Sequence, residues 1–129
     1  MSADLVAEYL KNRGAAEHVV KSGLGGLVRS WERTVDEIDT GYKWGHEEWL
    51  NDLDVRTLVF EVITHLPGEV VLGLMRRLNL ADWRLMESTV RTHECVWGED
   101  NARDHGWTRA THWWLYRMPP GADVVDPRD

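Results

Sequence analysis

From residue 24 to residue 66 the chain reads LGGLVRSWERTVDEIDTGYKWGHEEWLNDLDVRTLVFEVITHL, and two helices are written into it. Leu24, Leu27, Val28, Trp31, Val35 and Ile38 recur at steps of three and four, the period of one helix face. Gly41 follows where a left-handed C-terminal cap belongs. The second half is richer still in apolar residues: Trp49, Leu50, Leu53, Val55, Leu58, Val59, Phe60, Val62, Ile63 and Leu66. Two such helices joined by a short glycine-containing link pack as a hairpin and seed a core. Residues 46–53 are expected to form a short helix that Asn51-Asp52-Leu53-Asp54 breaks or caps, with Asp52 or Asp54 as the N-cap of the next segment. The β-branched content of residues 57–64 favours a strand, but their continuity with the preceding helical pattern favours a helix.

Outward from this hairpin the pattern stays helical for most of the chain. Leu5, Val6, Tyr9 and Leu10 share one face of a first helix, and residues 15–22 add a further turn before Gly23, Gly25 and Gly26 interrupt. No Lys-Ser/Thr follows those glycines and no strand precedes them, so they are a hinge or a close helix contact and not a phosphate loop. Pro67-Gly68 predicts a turn. Residues 69–79 predict a helix with Val70, Val71, Leu74, Met75 and Leu78 inward, and Asp82 then caps another from residue 83 to about residue 92. Residues 94–97 and 111–117 predict two short strands joined by a polar loop over 98–110. The fold class expected is therefore mainly α. It is a single helical bundle of four to six helices over residues 1–121, closed by a short C-terminal antiparallel β-hairpin and followed by a flexible tail over 122–129.

The charge is unevenly placed. The chain carries a net −7, and residues 30–66 hold nine acids against three bases, a net of −6. Residues 69–118 hold seven of each. A focused acidic surface repels phosphate backbones and attracts basic partners, which disfavours nucleic acid. No run of about eighteen apolar residues is present, so no membrane span is expected. The start, Met1-Ser2-Ala3-Asp4, lacks the basic and apolar regions of a secretory leader, and the single cysteine, Cys95, suits a reducing cytoplasm.

Three constellations bear on chemistry. His93-Glu94-Cys95 with His105 and His112 supplies zinc-type ligands, and residues 93 and 95 of a strand point to one side. The spacing matches no recurrent site and no second CxxC or HxxxH completes it, so neither metal nor cofactor is expected. Glu61 and His65 stand one helical turn apart as an acid–base pair, although a histidine in a last turn is also favoured by the helix dipole. Ser22, Ser30 and Ser88 sit in no nucleophile-elbow context. The third is aromatic: the chain has eight tryptophans, and Trp97, Trp107, Trp113, Trp114 and Tyr116 crowd its C-terminal third beside Arg109 and Arg117. In a strand Trp113 and Trp114 face opposite sides, one toward the helices and one toward solvent or a partner.

These features predict a small, cytoplasmic, non-enzymatic binding protein. Asp36, Glu37, Asp39, Glu47, Glu48 and Asp52 would neutralise a basic protein partner, with Trp114 as interface anchor. An immunity-type or antitoxin-type inhibitor is its most concrete form. The alternative is a small enzyme or ligand-binding domain with a pocket built from His93, Cys95, His105, Trp107, His112 and Trp113. A convex acidic surface supports the first, and a concave site holding the histidines supports the second.

Overall fold

A computed structural model describes residues 2–120, with side chains from Leu5 onward. The tail expected over 122–129 lies outside the described residues. The chain runs α1 (Ser2–Asn12), α2 (Glu17–Asp39), α3 (His46–His65), α4 (Leu72–Ser88), β1 (Val90–Arg91), α5 (Glu99–His105) and β2 (Arg117–Met118). Short 3-10 helices occupy Pro67–Glu69 and Trp113–Tyr116. The fold is mainly helical, with five α-helices and a two-stranded antiparallel sheet near its C-terminal end, as expected. Helix α2 is central and packs against α1, α3 and α4.

The apolar face read from residues 24–38 is the one that is buried. Leu24, Leu27, Val28, Trp31, Val35 and Ile38 all enter the core. At Gly23 the helix breaks, with φ +65° and ψ −159°, so α2 is two helical pieces set at an angle and only glycine takes that backbone at little cost. Gly41, at φ +102°, closes the C-terminal end, its N–H donating to the Ile38 carbonyl.

Several expectations are corrected. Helix α3 is continuous, so Asn51–Asp54 neither breaks nor caps it, and Asp52 accepts a hydrogen bond from the Tyr42 hydroxyl at 2.6 Å instead. Its β-branched residues stay helical because Thr57, Val59 and Val62 are buried, and packing overrides a propensity worth under about 1 kcal/mol. Helix α4 is also continuous, and Asp82 is no cap. Asp82 is a buried acceptor inside the bundle, and Val71, expected inward, is exposed before the helix begins. In the C-terminal third, residues 94–97 are not a strand and Trp113–Tyr116 winds as a 3-10 turn. That turn buries Trp114, Leu115 and Tyr116 together, which alternation along a strand cannot do. Pairing is confined to Val90 with Met118 and Arg91 with Arg117, extended by the Thr92 and Val96 N–H groups donating to the Tyr116 and Leu115 carbonyls. The loop expected over 98–110 contains α5, capped by Gly106.

Of the eight tryptophans, Trp31, Trp49 and Trp114 are fully buried, Trp97, Trp107 and Trp113 are half-buried, and Trp44 and Trp83 are exposed. One polar network crosses the core. Arg56 donates from Nε and Nη2 to the two Asp82 carboxylate oxygens, each at 3.0 Å, and the Trp31 indole N–H donates to Asp82 Oδ1 at 2.8 Å. The Arg56 guanidinium lies 4.4 Å from the Trp114 ring centroid. It thereby fastens α3 to α4 and to the C-terminal aromatic turn.

A second clasp ties α1 to α3. Arg13 donates to both oxygens of Glu61, and the Tyr9 hydroxyl donates to Glu61 Oε1 at 2.9 Å. Burial alone would raise the Glu61 carboxyl, but the hydrogen bonds from Arg13 and Tyr9 prevail and hold it below the ordinary glutamate range. A carboxyl lower in the folded than in the unfolded chain stabilises above its unfolded pKa, about 4.3, and that contribution disappears as pH falls through the folded value. Glu61→Gln is accordingly expected to flatten the loss of stability below about pH 4.3. Urea melts at neutral and acid pH test this, and parallel pH curves for the two proteins would refute it.

Candidate functional site

The acidic residues gather at one end of the bundle, where α2 finishes, the link over residues 40–45 turns and α3 starts. Most of them are already engaged. Asp36 and Asp39 both accept from Arg84 of α4, at 2.8 and 2.5 Å. Glu37 accepts from the Trp44 indole N–H. Asp52 is held by Tyr42, while burial raises its carboxyl and the neighbouring Glu37 and Glu48 add to the rise, a local excess of like charge. Burial and the bond to Asp52 push the Tyr42 hydroxyl up. Among the described residues, Glu47 and Glu48 in the first turn of α3 meet no cation. That position, at the positive end of the helix dipole, favours them.

Trp44 is an exposed aromatic at this end. It is 53% exposed, and with Lys43, Glu37, Thr40 and Gly41 it lines a shallow cleft of about 200 Å³. Trp114, expected to anchor an interface, is only 1% exposed, and its indole N–H donates to Thr57 Oγ1 at 2.9 Å. It is a core residue, because the 3-10 turn points it at α3. The exposed Trp44 was legible in the sequence only as one of two aromatics in a glycine-flanked turn, and nothing local distinguishes a turn tryptophan that folds inward from one that stays out.

The residues of the expected pocket do not converge on a cavity. His105 stacks on Trp107 with ring centroids 4.4 Å apart, and Trp107 leads to His112 at 6.1 Å, so the three form a column running from surface to core. His112 is buried between Phe60 and Trp114, and burial lowers its pKa toward the neutral form. Cys95 is buried, and burial pushes its thiol up, away from the thiolate a nucleophile needs. His93 is exposed and its backbone carbonyl accepts from Arg109. Among the described residues no three histidine, cysteine or carboxylate side chains gather as metal ligands. Trp113 borders a cleft of about 190 Å³, whose other walls are Met86, Arg91, Arg109, Tyr116 and Arg117. Glu61 and His65 are likewise spoken for: the carboxylate belongs to Arg13, and the His65 ring stacks on Tyr9 at 5.2 Å.

No protein-family profile matches the chain, and no curated protein or solved structure matches it either. Function therefore rests on the site itself. None of the described helices is long and apolar enough to cross a membrane.

Proposed function

We propose that this chain is a non-enzymatic binding domain of the cytoplasm that captures a basic protein, with its recognition surface at the link between α2 and α3. The observation that carries the proposal is Trp44: a large exposed ring held by Glu37, three and four residues before Glu47 and Glu48, which meet no cation among the described residues. An exposed aromatic near acids that meet no cation has the composition of an interface hot spot, where the ring supplies residence time and the charge supplies the rate of encounter. The crowding of Asp52 by Glu37 and Glu48 works in the same direction, since a lysine or arginine brought to this end relieves it. An immunity-type or antitoxin-type inhibitor, which covers the cationic active surface of a basic enzyme, is the form this reading takes.

The test is capture of basic proteins from the native host, followed by binding kinetics on the purified partner. Glu47→Lys with Glu48→Lys is expected to slow association roughly tenfold at low salt and to weaken its salt dependence. Trp44→Ala is expected to speed dissociation by about tenfold or more while leaving association nearly unchanged. Both sites are on the surface, so thermal melts should stay close to the parent. An acidic partner, or binding indifferent to salt and to both variants, would refute the proposal.

A further inference from the structure

The C-terminal end of α4 and the small sheet form a surface of the opposite character. Leu80, Trp83 and Met86 follow one another along α4 at steps of three. All three are exposed, Trp83 by 58%. Met86 then forms one wall of the cleft whose remaining walls are Arg91, Arg109, Trp113, Tyr116 and Arg117. The apolar row and the arginine cleft are thus one continuous strip.

The arginines are held in place without being neutralised. Arg117 donates from Nη1 to the Met86 and Thr89 carbonyls, at 3.1 and 3.2 Å, and so caps α4. Arg109 donates to the His93 carbonyl and its guanidinium lies 5.0 Å from the Tyr116 ring centroid. Arg91 stands directly across the sheet from Arg117, a like-charge cross-strand pair that costs stability. Burial and Arg91 together lower the Arg117 pKa, the direction expected of a guanidinium short of counter-charge. Among the described residues none of the three forms a salt bridge. In a chain with 22 acids and 15 bases, three adjacent guanidinium groups without a carboxylate are a cost the fold itself does nothing to relieve.

We infer that this strip is a second docking surface, for an acidic segment of a partner protein that carries a carboxylate next to a large apolar side chain. Charge complementarity selects the occupant. The carboxylate enters the cleft and accepts from the free N–H groups of Arg91, Arg109 and Arg117, while the apolar side chain covers Trp83 and Met86. The surface uses none of the residues around Trp44. It stands or falls independently of the basic partner proposed above.

Selection of a displayed library of random twelve-residue peptides on the intact chain reads the preference directly. Sequences pairing Asp or Glu with Leu, Phe or Trp are expected to be enriched. As synthetic peptides they should bind about tenfold more weakly to Arg91→Glu with Arg109→Glu, and to Trp83→Ser, yet normally to Trp44→Ala. All three changes are at exposed positions, and circular dichroism melts verify that the variants fold. Enrichment of basic or neutral sequences only, no enrichment at all, or acidic peptides that bind the variants as tightly as the parent would overturn the inference. Two further results would also overturn it by assigning the strip elsewhere. One is inorganic phosphate alone shifting the Trp113 indole resonance while no peptide binds. The other is a dimer in sedimentation that Trp83→Ser dissolves.

Discussion

Asp82→Ala is expected to cost about 3–5 kcal/mol, the usual penalty for removing one partner of a buried ion pair. The carboxylate accepts from Arg56 twice and from the Trp31 indole, so its loss leaves a buried guanidinium and a buried N–H without their acceptor. Arg56 cannot simply swing into water, because its side chain is enclosed by α4 and lies over Trp114. A typical domain has only about 5–15 kcal/mol of stability, so the variant should melt at a much lower urea concentration. The penalty belongs to the broken pair and not to the missing charge. Arg56→Met with Asp82→Leu, which replaces both members by apolar side chains of similar size, is expected to recover most of it. A residual deficit of about 1–3 kcal/mol should remain, because the Trp31 N–H still has no acceptor. A loss below about 1 kcal/mol for Asp82→Ala would mean that Arg56 finds solvent and that the network does not hold the core together.

Trp31→Ala is expected to be similarly severe, at about 3–5 kcal/mol. The ring lies wholly buried at the middle of the apolar face of α2, the helix that packs against three others, so the cavity opens where neighbours can least collapse into it. Trp31→Phe separates packing from hydrogen bonding. It keeps much of the ring and removes only the donor, and about 1–2 kcal/mol should be lost. Because Trp31 and Asp82 share a hydrogen bond, Trp31→Phe and Asp82→Ala should be non-additive in denaturant melts, with a coupling of about 0.5–3 kcal/mol. Strict additivity would refute the bond, and a loss below about 1 kcal/mol for Trp31→Ala would place the ring outside the core.

Two contacts tie the acidic end of the bundle to the C-terminal part of the chain and to α4. The Trp49 indole N–H, one residue after Glu48, donates to the Arg117 carbonyl at 2.8 Å, and Arg84 joins Asp36 and Asp39 to α4 two residues before Met86. The carboxylates that a linear count assigns to one acidic face are thereby divided. Asp36 and Asp39 serve the α2–α4 interface, where Arg84 offsets them, while among the described residues Glu47 and Glu48 meet no cation.

What the sequence determined by itself is the helical scaffold and its central buried face. The period running through Leu24, Leu27, Val28, Trp31, Val35 and Ile38 is a local property, since side chains three and four apart share a helix face whatever lies opposite. Gly41 as a terminator and the antiparallel closure near the C-terminal end were legible for the same kind of reason. What only the tertiary structure decided is the role of residues whose partners are far away in sequence. Asp82 reads locally as a helix cap, yet it is an acceptor for groups 26 and 51 residues distant, and no local rule carries that information. Thr57 and its β-branched neighbours carry a strand propensity, their continuity with the preceding pattern favours a helix, and burial of Thr57, Val59 and Val62 goes with the helix that forms. Trp114 reads as an exposed anchor, and Trp44 merely as a turn aromatic. Which of the two rings stays in solvent depends on a 3-10 turn that aims Trp114 at Thr57, a contact made 57 residues away along the chain.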